Sequence, residues 1–126
     1  MEEKPEVEYF WDSYAIIEIL KENQSYKKYK NNPVTITIFN LVEIYYSCLD
    51  NFNEEELTEI YDKYKGAVVE IPDEILKKAI KFRKKYKSKD LSYADCIGYT
   101  YAVENDMKFL TGDKEFKDLE GVEFVK

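Results

Sequence analysis

The sequence predicts an α/β fold, a three-layer α/β/α sandwich around a mostly parallel sheet of four to five strands. Two observations carry that prediction. Short β-branched and aromatic runs alternate with stretches of helical periodicity, in the order β-α-β-α-α-β-α-α-β-turn-β. Strands separated by helices pair in parallel, with the helices covering both faces. The composition agrees: 44% hydrophobic residues with only four glycines and three prolines describes a packed domain. No repeat, low-complexity tract or linker divides the chain, so residues 1–126 are expected to form one domain.

Val7–Trp11 (VEYFW) reads as a short buried strand that ends at Asp12. Ser13–Lys21 follows with Tyr14, Ile17 and Leu20 at helical spacing. Ser25–Asn32 is polar and lysine-rich, a loop or a short exposed helix. Pro33 introduces Val34–Ile38 (VTITI), the clearest strand pattern in the chain. Asn40 is a good N-cap for a helix over Leu41–Leu49. Glu54–Lys65 is amphipathic, with Leu57, Ile60, Tyr61 and Tyr64 on one side and Gly66 as its C-cap. Ala67–Ile71 (AVVEI) reads as a third strand. Pro72 and Asp73 open a basic helix running to about Lys87, with Leu76, Ile80 and Phe82 or Tyr86 facing inward. Ser92 caps a helix over Tyr93–Glu104, closed by Asn105-Asp106. Met107–Leu110 is a fourth strand and Val122–Val125 a fifth.

Histidine is absent, which removes Ser-His-Asp and Cys-His machinery, histidine acid–base catalysis and histidine-ligated zinc. Any chemistry must use carboxylates, hydroxyls, amines or a metal. Cys48 and Cys96 form neither a disulfide framework nor a zinc spacing and read as buried free thiols. The start of the chain lacks the basic and apolar segments of a signal peptide, and no apolar run approaches the ~20 residues that cross a bilayer. A cytoplasmic protein without membrane contact is expected. The net charge of −7 argues against a general polyanion binder but leaves room for a local basic patch.

Four acids, Asp12, Glu43, Asp95 and Asp113, fall where a predicted strand gives way to a helix or in the first turn of a predicted helix. In an open parallel sheet those junctions share one rim, where ligands bind. Carboxylates gathered there repel one another unless they share a cation, and Mg²⁺ or Mn²⁺ suits oxygen ligands. Each acid also has a structural reading. Asp12 is placed to cap the following helix, and Asp113 belongs to a Gly-Asp turn. Asn40-x-x-Glu43 and Ser92-x-x-Asp95 both have capping-box spacing. Both readings put carboxylates on the same rim, and metal binding separates them.

The chain resembles PIN-domain ribonucleases, and in size the toxin of a VapBC-type toxin–antitoxin pair. The resemblance rests on a strand ending in Asp12-Ser13, Asn40-Leu-Val-Glu43-Ile-Tyr-Tyr, Leu91-Ser-Tyr-Ala-Asp95 and Phe109-Leu-Thr-Gly-Asp113-Lys-Glu-Phe116, in the family's order over nearly the whole chain. It implies a PIN-like sandwich and an acidic catalytic site of Asp12, Glu43, Asp95 and Asp113. Asp12 and Asp95 would be the principal Mg²⁺ or Mn²⁺ ligands. Asp113 would hold a second metal or a water on the first, and Glu43 would ligate or orient water. Ser13 and Thr111 match positions whose hydroxyls support that water network. Glu115 or Asp118 stands as an alternative to part of the Asp113 role. The implied activity is metal-dependent endoribonuclease, leaving 5′-phosphate and 3′-hydroxyl ends, with an antitoxin partner and a homodimer. The antitoxin would insert a helix between the Ser13–Leu20 and Leu41–Leu49 helices.

Lys77–Lys89 (KKAIKFRKKYKSK) holds eight basic residues and no acid. Lys77, Lys81, Arg83, Lys84, Lys85 and Lys87 either contact RNA phosphates or form the solvated face of an amphipathic helix. Tyr45, Tyr61, Tyr64 and Tyr99 have core spacing, while Tyr46, Tyr93 and Tyr101 have no assigned role. The rival readings are a PIN nuclease of RNA processing without a toxin role, and a non-catalytic α/β binding module whose acids are only caps. A receiver or haloacid-dehalogenase-like domain fits less well, because the latter needs a second aspartate two residues after Asp12, where Tyr14 stands.

Overall fold

The structure, a computed structural model, describes residues 7–126. The Met1–Glu6 stretch, read above as lacking a targeting segment, lies outside the described residues. Strand β1 (Tyr9–Trp11), helices α1 (Ser13–Leu20), α2 (Ile38–Cys48), α3 (Glu54–Lys65), α4 (Asp73–Lys85) and α5 (Tyr93–Glu104), then strands β2 (Lys108–Thr111) and β3 (Val122–Phe124) follow in chain order. The three strands pair in parallel in the order β1-β2-β3. Phe10 lies opposite Phe109 and Trp11 opposite Leu110, while Phe109 faces Val122. Side chains alternate across a strand, and here both faces are apolar, as a parallel sheet covered on two sides requires. Trp11 and Leu110 enter one core with Ile16, Ile44 and Tyr64 from α1, α2 and α3. Phe10 and Phe109 enter the other with Ala79, Ile97 and Tyr99 from α4 and α5. The three-layer α/β/α expectation therefore holds.

Two predicted strands are less regular than their sequences suggest. The 34–38 and 67–71 runs meet in one parallel bridge, Ile36 to Val68. Trp11 N donates to Thr35 O at 3.0 Å and Val69 N to Ile36 O at 2.8 Å, so both segments extend the sheet beyond β1. The VTITI pattern is cut short by a helix start. Thr37 and Asn40 form a reciprocal cap in which Thr37 N donates to Asn40 Oδ1 at 2.9 Å, and α2 begins at Ile38. Asn40 is thus the third residue of the helix and not its N-cap, and Glu43 belongs to no capping box. Asn53 and Ser92 do cap α3 and α5, each reciprocally with an acid three residues on.

Smaller departures have similar causes. Gln24–Tyr29 is a 3₁₀ helix whose Tyr26 and Tyr29 are buried, their hydroxyls donating to Val125 O and to Glu123 Oε2. Helix α4 stops at Lys85 and turns Ile75 and Ala79 inward, leaving Ile80 exposed. Tyr64 and Tyr99 are core residues, whereas Tyr61 is exposed and meets Tyr45 edge-on at 5.6 Å. Both cysteines are buried and free. Among the described residues no helix is long and apolar enough to cross a membrane.

Candidate active site

Asp12 follows β1 directly, its N–H donating to Leu110 O at 3.0 Å. Its backbone caps α1, yet its carboxylate makes no capping bond. The side chain turns instead to Thr111, whose hydroxyl donates to Asp12 Oδ2 at 2.6 Å, and the residue is 3% exposed. The same Thr111 oxygen accepts from Asp113 N at 3.0 Å, and Asp113 Oδ1 accepts from Glu115 N at 3.0 Å. One buried hydroxyl therefore ties the end of β1 to the turn after β2.

Glu43 comes from the second turn of α2. Ser13 Oγ donates to Glu43 Oε1 at 2.6 Å and accepts from Asn40 Nδ2 at 3.0 Å. The buried Asn40, by capping α2 and holding Ser13, aims Ser13 at Glu43. Asp95 serves its helix cap with one oxygen, Oδ2, which accepts from Ser92 N at 2.9 Å. Asp95 is thus both cap and cleft residue, since with Asp12, Ser13, Glu43 and Asp113 it lines one open cleft of about 550 Å³. Thr111 supports it from beneath.

Two predicted alternatives fall elsewhere. Glu115 Oε1 accepts from Asp90 N at 3.3 Å, joining its turn to the α4–α5 loop. Asp118 is exposed, and neither lines the cleft. The basic run does not line it either. Lys77, Lys81, Lys84, Lys85 and Lys87 are exposed, but Arg83 is engaged: its Nε donates to Leu91 O at 3.0 Å and its guanidinium lies 4.1 Å from the Tyr93 ring centre. Sequence reading missed the role of Asn40 and the presence of Tyr14 and Tyr46 in the cleft wall. Thr37, three residues before Asn40, was the available signal for the first. For Tyr46 it was the spacing of three from Glu43, which puts both on one helix face.

The electrostatics are those of crowded negative charge. Burial, then Asp95, Glu43 and Asp113, push the Asp12 carboxyl up to about 8, against the lowering effect of the Thr111 hydroxyl. Asp95 is raised to about 6, mainly by burial, with Glu43 and Asp113 adding to it and the Ser92 bonds opposing. No lysine or arginine lines the cleft, and among the described residues none of these acids forms an ion pair. As the side chains stand, no three described acids, cysteines or histidines converge on a point that would hold an ion. The donor set still suits a hard divalent ion in kind, being all oxygen, negatively charged and without a counter-charge.

Solved structures share this architecture. The chain superposes on a toxin–antitoxin complex from Klebsiella pneumoniae with a TM-score of 0.68, at 17% identity over 91% of this chain and 95% of that one. VapBC2 from Rickettsia felis, bound to a DNA fragment from their promoter, gives 0.68 at 17% identity over 94% and 98%. FitAcB from Neisseria gonorrhoeae gives 0.64 at 14% identity over 92% and 96%. These likenesses establish the fold. No curated protein sequence matches the chain significantly. The family model of the PIN domain matches residues 9–122, from the first residue of β1 to the first of β3. By sequence and by fold alike, this chain belongs to the PIN domain family.

Proposed function

We propose that the protein is a metal-dependent endoribonuclease, the toxin of a toxin–antitoxin pair. Asp12 carries the reading. It is a carboxylate buried among three others, its side chain is not used to cap α1, and no cation of the protein lines its cleft. Burying such a group is costly unless it is neutralised or matched by a counter-ion. When bound, Mg²⁺ or Mn²⁺ lowers the pKa of a water and offsets charge on phosphoryl oxygens. Asp12 and Asp95 would hold the ion, with Asp113 at a second ion or a water. Thr111 fixes the Asp12 carboxylate through a bond of 2.6 Å. Ser13, itself held by Asn40, fixes Glu43, which is free at its other oxygen to orient a water for in-line attack on the phosphodiester. The roles need no histidine.

Purified protein is expected to cut a labelled single-stranded RNA with Mn²⁺ and to stop in EDTA. No cleavage of several RNAs, together with no heat of Mn²⁺ binding, would return the acids to structural roles.

The α4–α5 hairpin favours a path for the substrate. The Arg83–Tyr93 contact sets the end of α4 beside the start of α5, where Asp95 sits. Lys84 and Lys85 end α4 and Lys87 follows it, so in this reading their side chains would reach toward the rim, with Lys77 roughly 10 Å back along the helix at 1.5 Å per residue. Changing Lys81, Lys84 and Lys85 to Glu should weaken RNA binding about tenfold or more and flatten its salt dependence, leaving Mn²⁺ affinity as it was. Unchanged RNA affinity would remove this path.

An antitoxin partner is supported by the toxin–antitoxin complexes among the structural neighbours. A partner helix would lie between α1 and α2, where Ile17 and Val42 add apolar surface to the acidic cleft. The homodimer and the cytoplasmic site of action belong to the same proposal.

A further inference from the structure

The twelve tyrosines divide in a way their sequence spacing does not show. Ten meet another aromatic ring or a cation, from Tyr9 on Tyr29 to Tyr93 under Arg83. Among the described residues the two without such a partner are Tyr14 and Tyr46, and both line the acidic cleft. Tyr46 is 76% exposed, more than any other large hydrophobic side chain of the described residues. It stands one helical turn after Glu43, on the same face of α2. Tyr14 stands two residues after Asp12, in the first turn of α1.

We infer that Tyr46, with Tyr14 beside it, is a base-stacking surface of the cleft that positions the RNA at the carboxylates. The inference rests on the nuclease reading and adds a substrate-positioning residue to it. A ring can cover the face of a base only where that base has left its own stack, as in single strands, loops and bulges. A base on Tyr46 would bring its adjoining phosphate to the carboxylates a turn away. The partner helix proposed above would cover the same rings, so base stacking and partner binding would exclude one another, and a helix seated there would need a basic residue to match the carboxylates. Tyr14 also packs over Gly112, so it has a structural duty that Tyr46 lacks. The discriminating substitution is therefore at Tyr46.

The test compares the full-length wild type with Tyr46→Ala and Tyr46→Phe, in Mn²⁺, on one single-stranded RNA. Tyr46→Ala should raise KM for the single strand about tenfold, the expected size of one lost stacking contact, with kcat little changed. Tyr46→Phe should stay near wild type, because the ring does the stacking. A second readout is independent of turnover. An oligoribonucleotide carrying 2-aminopurine, bound in the Asp12→Asn background, should lose fluorescence on stacking, and adding Tyr46→Ala should abolish that loss. An unchanged KM and an unchanged fluorescence loss in the alanine variant would overturn the inference. Failure of the underlying nuclease reading is distinguishable, since it shows in the wild type: no cleavage, and no Mn²⁺ binding.

Discussion

Asp12→Asn is expected to lower Mn²⁺-dependent cleavage by on the order of 10²-fold or more, since even partners that only orient metal ligands are worth 10–100-fold. The same substitution should make the metal-free protein more stable. In the folded protein without metal the Asp12 carboxyl is raised to about 8, first by burial and then by Asp95 and the other acids. In the unfolded chain it titrates near the usual ~4. The folded state therefore holds the proton more tightly. Stability from this group is complete below about pH 4 and is lost as pH rises through about 8. Asp95, raised to about 6, acts in the same direction over the lower part of that window. Urea melts in EDTA should show wild-type stability falling between pH 5 and 8, by roughly 1–3 kcal/mol. Mn²⁺ should reverse the fall through binding linkage. The carboxamide of the Asp12→Asn variant would keep an acceptor for the Thr111 hydroxyl and carry no charge. Its stability profile should therefore be flatter and its stability at pH 8 higher. A variant less stable than wild type at pH 8 would show that the carboxylate is accommodated as an ordinary charge.

Gly112→Ala should be the most crowded alanine substitution among the four glycines. A Cβ there would lie 2.6 Å from the Tyr26 hydroxyl and closer still to the Tyr14 ring and the Val125 carbonyl. That carbonyl cannot retreat easily, since it accepts from Tyr26 while Val125 N donates to Thr111 O at 2.8 Å. Overpacking of this kind costs about 1–3 kcal/mol, or roughly 5–15 °C in Tm for a chain of this size. Gly112 lies between Thr111 and Asp113, so Mn²⁺ affinity should fall with stability. Gly66→Ala is the matched control: its nearest neighbour would be 3.5 Å away, and its φ of −65° is ordinary for alanine. A Tm for Gly112→Ala equal to that of the control would mean the turn has slack the packing does not suggest.

The parts of the fold that were legible are those where one local rule dominates. Helix α3 runs over the predicted residues because Asn53, Glu56, its apolar stripe and Gly66 agree. Helix α5 does so because Ser92 and Asp95 cap it. The gathering of Asp12, Asp95 and Asp113 was legible from the topology, since they lie at strand ends or helix starts and a parallel sheet brings those ends to one side, whereas Glu43 reaches the cleft from the second turn of α2. Where two local rules compete, sequence does not rank them. VTITI favours a strand, yet Thr37 with Asn40 starts a helix inside it. Arg83 looked like its lysine neighbours, but its planar fork is used on Leu91 O and the Tyr93 ring. Tyr46 and Tyr64 are the same residue type on amphipathic helices. Only tertiary packing decides that one is exposed and the other buried.

The bond from Thr111 to Asp12 joins residues 99 positions apart, and Tyr26 reaches Val125 over the same separation. Contacts so distant along the chain must wait for loop closure, which slows folding compared with helix formation. They also impose an order during synthesis. On the ribosome α1 to α5 can form and dock while the sheet still lacks β2 and β3. At about 5–20 residues per second, the stretch from Tyr9 to Thr111 takes on the order of 5–20 s to make. Throughout that interval Asp12 has no Thr111 to fix it and no Asp113 beside it. On the nuclease reading proposed above, the acidic site is therefore incomplete in the nascent chain until β2 and the turn after it have been made.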